Sequence, residues 1–267
     1  MTVNNSSSPV ALVTGGARGI GLAIAQWFLQ HGHRVALLDV DADTLVKTVA
    51  ALNDAEHVLG LHCDVSSPQQ VQSAVDSVVS NFGRIDALVN NAGIAIFKPI
   101  AATSYDEWRQ VFAVNLDGAF LCTQACAPVM LRNGGGSVVN IASISGLRAS
   151  TLRVAYGSSK AALIHLTKQQ AVELGNVGIR VNAIAPGPVD TEMAKLVHSV
   201  AIRSDYYDTI PLNRYGTVEE IAEVTGFLCS AAASYVNGQV LAVDGGFDAA
   251  GVGLPTLRKS AVMPVEV

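Results

Sequence analysis

A glycine run wedged between a strand-like and a helix-like segment constrains this chain more than any other feature. VALVT (10–14) is short, apolar and β-branched, the pattern of a buried strand. TGGARGIG (14–21) follows at once. IGLAIAQWFLQHG (20–32) then carries apolar residues at helical spacing and closes on a glycine. RVALLD (34–39) is a second buried strand. Strand, turn, helix and strand in about 30 residues make one βαβ unit. The free N–H groups and the dipole at such a helix start favour an anion. Gly15, Gly19 and Gly21 allow a dinucleotide pyrophosphate close to the backbone.

The alternation continues. DADTLVKTVAAL, PQQVQSAVDSVVSNFG, residues 104–132 and residues 154–175 read as helices. VLGLHCDV, IDALVNNAG, SVVNIAS (137–143), IRVNAIAPG (179–187) and GQVLAVDGG (238–246) read as strands. Seven apolar strands alternating with helices predict an α/β chain with a Rossmann-type, doubly wound parallel sheet in a single domain. That domain is expected over 9–247, between a flexible tail at 1–8 and a C-terminal tail at 248–267. Residues 188–217 break the rhythm with charge, aromatics and proline, as a substrate loop does.

Composition excludes several classes. A formal charge of −5 without any basic block argues against nucleic acid as a partner. The polar N-terminus lacks the regions of a signal peptide, and no apolar run reaches the roughly 18 residues of a membrane span. Cys63, Cys122, Cys126 and Cys229 form no CxxC and no metal-ligand spacing with histidine, so no metal is expected. They read as reduced core cysteines of a soluble, cytoplasmic protein. Only 15% of residues are charged and mean hydropathy is +0.36, which suggests apolar surface buried between subunits.

Asp39 ends the second strand, where a carboxylate can accept hydrogen bonds from adenosine ribose hydroxyls and repel a 2′-phosphate. Arg18 in the glycine turn points the other way, toward a 2′-phosphate. Val40 supplies no second positive charge beside it, so NAD is expected over NADP.

Over about residues 8–247 the chain resembles the short-chain dehydrogenase/reductase family. The resemblance rests on ordered motifs: TGGARGIG (14–21), CDV (63–65), NNAG (90–93), NLDG (115–118), NIAS (140–143), YGSSK (156–160) and PGPVDT (186–191). It implies that Asp64 and Val65 lie against adenine and that Asn91, Ala92 and Gly93 line the cofactor groove. Ile20 would flank the pyrophosphate, and Pro186, Gly187, Val189 and Thr191 would hold the nicotinamide carboxamide. Thr191 equally suits a helix N-cap before EMAKLV. The resemblance also implies a homotetramer built through helix pairs.

Oxidising a secondary alcohol takes a hydride from carbon and a proton from oxygen, so the protein must supply a base and an oxygen-binding site. Tyr156 is the candidate base. A free phenol titrates at about 10 and needs a cation to lower it. Lys160 lies one helical turn on, on the same face, and can also reach the nicotinamide ribose. Ser143, at a strand end, is the family's substrate-oxygen serine, with Ser145 as its competitor. Asn115 sits mid-helix, where asparagine is a poor helix former, and the family role is a water-linked proton relay from Lys160.

For the substrate pocket the expected lining is Ser145, Leu147, Leu152, Met193, Val197, Tyr206 and Tyr207. That mixture suits a medium-sized ketone, a secondary alcohol or a polyol. His198, Arg203 and Arg214 are candidates for meeting a polar or acidic substrate. A 3-oxoacyl-thioester reductase is the second reading. Its acyl-carrier-protein partner would need a basic patch, for which Arg132, Arg148 and Arg153 are the nearby residues. A non-catalytic dinucleotide sensor is a third reading, against which an intact Ser143, Tyr156 and Lys160 set argues.

Overall fold

Strand β1 (Val10–Thr14) is buried at every residue, so cover must lie on both of its faces. The computed structural model describes residues 8–251 and 254–256, without the side chains of Met193 and Leu196. Alternate residues of β1 feed two cores. Val10 and Leu12 join one, and Ala11 and Val13 join the other.

The remaining strands are β2 (Arg34–Asp39), β3 (Val58–His62), β4 (Ala87–Asn90), β5 (Gly136–Ile141), β6 (Ile179–Pro186) and β7 (Val240–Val243). They form one parallel seven-stranded sheet in the order β3-β2-β1-β4-β5-β6-β7. β1 and β4 are neighbours although two strands separate them in sequence. That reversal opens a crevice outside the C-terminal strand ends, where ligands of such sheets bind.

Helices α1 (Gly19–Gln30), α2 (Ala42–Leu52) and α3 (Pro68–Phe82) have clear sequence boundaries. Asp41 caps α2 by accepting the Thr44 N–H, Ser67 caps α3, and Gly83 ends α3 at φ +79°. Next come α4 (Tyr105–Phe112), a π turn at Ala113–Asp117 and α5 (Gly118–Arg132). Together they make a 28-residue helical rod that is apolar enough, by length and composition, to cross a membrane. Counting uninterrupted apolar residues had not anticipated it. Here α5 packs on α3, and α4 packs on α7 (Val154–Leu174), with the short α6 (Ile144–Leu147) between β5 and α7.

A buried amide ladder sets the position of α7. Asn90 and Asn140 face each other across β4 and β5, and the Asn90 amide donates to Asn140 Oδ1 at 2.8 Å. Asn140 in turn donates to Thr167 Oγ1 at 2.9 Å and Gln170 Oε1 at 3.3 Å on α7. Buried polar groups of this kind hold geometry because an unmade bond there is costly.

The segment expected as a loop at 188–217 contains α8 (Glu192–Val197) and α9 (Val200–Thr209), capped by Thr191 and Ser199. Helix α10 (Val218–Cys229) follows and crosses α1 closely. Burial pushes the thiols up, Cys63 to about 11 and Cys126 and Cys229 to about 12, so they behave as packing groups. The expected N-terminal tail at 1–8 lies almost wholly outside the described residues, as does most of the 248–267 tail.

The α1–α10 crossing depends on one missing side chain. A Cβ at Gly226 would come within 2.3 Å of the Trp27 ring. The indole is held by a 2.9 Å bond to Glu223 Oε2 and by stacking on His31 at 3.7 Å, so it cannot step aside freely. Gly226→Ala should destabilise the fold by about 1–3 kcal/mol through overpacking. The check is the urea unfolding midpoint; an unchanged midpoint would show that the crossing has slack.

Candidate active site

The glycine turn is held from the neighbouring strand. Asn91, just past β4, donates its amide to the Thr14 and Gly15 carbonyls at 2.9 and 3.0 Å. The backbone N–H groups of Asn91 and Ala92 donate to Thr14 Oγ1 at 3.0 Å each. Gly15 and Gly19 sit at φ +61° and +56°, a conformation other residues adopt at a cost. Nothing lies within 4 Å of where a Gly19 Cβ would be, whereas Gly21 packs tightly on Gly15 and Asn91. The turn therefore presents an open face at the start of α1, as a dinucleotide phosphate requires.

Asp39 is buried at the end of β2. Its two oxygens accept the Ala17 N–H at 3.1 Å and the Asp41 N–H at 3.0 Å. Arg18 pairs with Asp41 at 3.2 Å. Asp64 caps its own loop by accepting from Ser66, and Val65 is buried against Gly118.

On the other side of the crevice, Ser143 ends the β5 connection and caps α6, accepting the Ser145 N–H at 3.1 Å. The Ser145 hydroxyl is shared with Ser150 at 3.1 Å, whereas the Ser143 side chain hydrogen-bonds Tyr156. Lys160 is 3% exposed and donates to the Ile141 carbonyl at 2.7 Å. Its nitrogen is 5.9 Å from the Tyr156 ring centre. The buried Asn115 lies in the π turn. It accepts the Ile94 N–H at 2.8 Å and donates to Ile94 O and Ser159 Oγ, both at 3.0 Å. A Cβ at Gly93 would sit 3.3 Å from Asn115 Oδ1 and 3.4 Å from Lys160 Nζ, so glycine leaves those two groups room.

Burial dominates the electrostatics of the site. Burial pushes the Tyr156 phenol above its ordinary value, while a Ser143 hydrogen bond and then the charge of Arg153 pull it back. Arg153 thus acts on the phenol, and the Lys160 nitrogen also lies near its ring. Burial also holds Lys160 down at about 8. Desolvation opposes the charged form of both groups.

One cavity of about 230 Å³ joins these parts. Ile20, Asn91, Gly93, Ser143, Tyr156, Lys160, Pro186, Gly187, Val189 and Thr191 all line it. Thr191 also caps α8 by accepting the Ala194 N–H at 3.1 Å, so both of its sequence readings coexist. Of the expected substrate lining, Ser145, Val197 and Tyr206 are present. Leu147 and Leu152 are corrections. They face a second depression with Lys98, Pro99 and Ile100, and Leu152 turns there at φ +61°. Tyr207 is another: it packs on Tyr215 at 5.5 Å rather than lining the cavity. The Met193 side chain lies outside the described residues.

Phe97, Ile94 and Arg153 line the cavity without having been assigned to it from sequence. Arg153 was legible in principle, because it precedes Tyr156 by three and so shares its helix face. His198 is in the lining, but Arg203 pairs with Asp190 and Arg214 with Glu220. Among the described residues, no three His, Cys, Asp or Glu side chains gather as a metal site.

Known proteins match this arrangement over most of its length. A family model described as enoyl-(acyl carrier protein) reductase matches residues 15–248. D-threitol dehydrogenase of Mycolicibacterium smegmatis is 41% identical over 239 residues, 89% of this chain and 92% of its own. The 3-oxoacyl-[acyl-carrier-protein] reductase FabG of Thermotoga maritima is 40% identical over 240 residues, 89% and 96% of the two chains. A gluconate 5-dehydrogenase from Burkholderia cenocepacia, solved with NADP and tartrate, superposes with a TM-score of 0.86. It is 35% identical, and the match covers 90% of this chain and 95% of that one.

The buried lysine gives a pH-dependent test. Its folded value of about 8 lies below the ordinary 10.5, which corresponds to roughly 3 kcal/mol of disfavour for the buried charge. Below pH 8 that penalty is fully present. Between 8 and 10.5 the folded protein sheds the proton while the unfolded chain keeps it, so the penalty fades as pH rises. Lys160→Met should therefore raise the ligand-free Tm at pH 7, and its advantage over wild type should shrink toward pH 10. An advantage that is constant with pH would remove the buried-charge account.

Proposed function

The chain belongs to the short-chain dehydrogenase/reductase family and is an oxidoreductase, and from that premise we propose that it interconverts a secondary alcohol or polyol and its ketone using NAD, with Tyr156 as acid/base. The observation that carries this reading is the convergence of Ser143, Tyr156 and Lys160 on one cavity that reaches Ile20 at the start of α1.

A nicotinamide dinucleotide, when bound, supplies the hydride acceptor or donor. Gly15, Gly19, Gly21 and Ile20 would receive its phosphates, and Asp39, Asp64 and Val65 its adenosine. Asn91, Ala92, Gly93, Pro186, Gly187, Val189 and Thr191 would bound its nicotinamide half. Ser143 holds the substrate oxygen, and Tyr156 exchanges the proton at that oxygen. Lys160 fixes the ribose end, with Asn115 behind it in the path to solvent. Because burial keeps the phenol protonated, a positive ring beside it would favour phenolate and ready the base.

Two facts support NAD over NADP. Asp39 is buried where the ribose would lie, and Arg18 is already engaged by Asp41. The acyl-thioester reading lacks an assembled basic patch. Arg132 ends α5 beside the start of β5, far from the C-terminal strand ends, and Arg148 donates to the Phe247 carbonyl. The same reading carries a cytoplasmic homotetramer, for which exposed Phe120 and Leu131 on α5 and Val172 on α7 offer apolar contact.

Two measurements test the reading. Tyr156→Phe should lower kcat by about 10²–10⁴-fold, the usual worth of a general acid/base, while NAD still binds. Near wild-type turnover would end the proposed role. In a panel of alcohols and ketones, kcat/KM with NAD should exceed that with NADP; equality or reversal would remove the role given to Asp39.

A further inference from the structure

The cavity holds a cation that the chemistry above leaves without a counter-ion. Arg153 is half-buried in its lining and donates from Nη1 to the Tyr206 hydroxyl at 3.1 Å. Its guanidinium lies 5.1 Å over the Phe97 ring. Among the described residues no carboxylate pairs with it, although seven ion pairs form elsewhere. Among the described residues, no aspartate or glutamate lines the cavity. The position is itself unfavourable for a cation, because Arg153 is the N-cap of α7, where the helix dipole prefers negative charge. Its field is felt inside the cavity: it opposes the rise that burial imposes on the Tyr156 phenol and adds to the lowering that burial imposes on His198.

The geometry points to Arg153 as the recognition group for an oxyanion on the substrate, so that the secondary alcohol is a small hydroxy acid or its sulfonate or phosphate counterpart. The inference rests on the oxidoreductase reading above and adds a substrate class to it. Three features select that class. A guanidinium presents a planar fork that matches an oxyanion, and at least part of the Arg153 fork remains available beside the bond to Tyr206. Phe97 and Tyr206 fix its plane and limit its freedom before the substrate arrives. Arg153 and Tyr156 are one turn apart on one helix face, and a cavity of about 230 Å³ leaves little room beyond a short chain joining the two groups. His198 gives its Nδ1 to the Tyr215 hydroxyl at 3.0 Å and is held toward the neutral form, so Arg153 supplies the charge at this end.

The test compares hydroxyalkanoates, hydroxyalkanesulfonates and hydroxyalkyl phosphates with the primary amide of each matching acid, using wild type, Arg153→Gln and Arg153→Lys. In parallel, binding of butanoate, propane-1-sulfonate and propyl phosphate to the NAD-saturated protein is measured by calorimetry. Wild type should prefer an anion to the amide by about 10–100-fold in kcat/KM, the span expected of a charge-assisted hydrogen bond. The difference should lie mainly in KM. Arg153→Gln should bring that ratio close to one and weaken the calorimetric binding, and Arg153→Lys should restore part of both. Which anion binds tightest distinguishes carboxylate, sulfonate and phosphate. Equal use of amide and acid, an unchanged ratio in Arg153→Gln, or no anion binding to wild type would each overturn the inference. If neutral alcohols turn over while anions neither bind nor react, this inference fails and the oxidoreductase reading stands. If anions bind through Arg153 and no alcohol in any panel reacts, the anion site stands and the oxidoreductase reading fails.

Discussion

Four hydrogen bonds between Thr14–Gly15 and Asn91–Ala92 join the end of β1 to the end of β4. They cross the place where the strand order reverses, and they carry the β1–β4 pairing on past its last register pair, Val13 with Val89. They fix the glycine turn against the floor of the cavity. Everything on the dinucleotide side of the crevice is thereby referred to β4, and β4 is referred through Asn90 and Asn140 to α7. The tyrosine and lysine of α7 are thus tied to the turn by a short chain of side-chain amides as well as by the packing of α7 on β6 and α6.

The site is built from groups whose charged forms the fold disfavours. Tyr156 is held neutral by burial, Lys160 titrates near 8, and Arg153 stands at a helix start without a carboxylate. Surface ion pairs elsewhere neutralise arginines such as Arg84, Arg203 and Arg214. The contrast marks the cavity as the part of the molecule arranged for ligands and not for stability alone.

Much of this was legible in the sequence, for a physical reason. A strand buried on both faces must be apolar throughout, so β1 and β2 could be read to the residue. The ends of β3 and β7 were overextended because the segments read as strands run on past His62 and Val243, the last residues in register with β2 and β6. The 188–217 segment hid two helices because α9 has no buried residue and therefore no apolar stripe to detect. Proximity in sequence misled for Leu147 and Leu152, since α6 and the left-handed turn at Leu152 carry them to another surface. Helical spacing brings Lys160 beside the tyrosine ring, but spacing does not reveal that its nitrogen is bonded to the Ile141 carbonyl.

The π turn at Ala113–Asp117 ties chain length to geometry. A π turn holds one residue more than the α-helix it interrupts, and each residue advances an α-helix by about 100°. Gly118, which must lie flush against Val65, follows that extra residue directly, while Asn115 inside it spans Ile94 and Ser159. Regular winding restored by losing one residue would rotate the whole of α5 relative to α4. The 105–132 helix therefore tolerates changes of side chain more readily than changes of length, and a one-residue insertion or deletion there disturbs both halves of the crevice together.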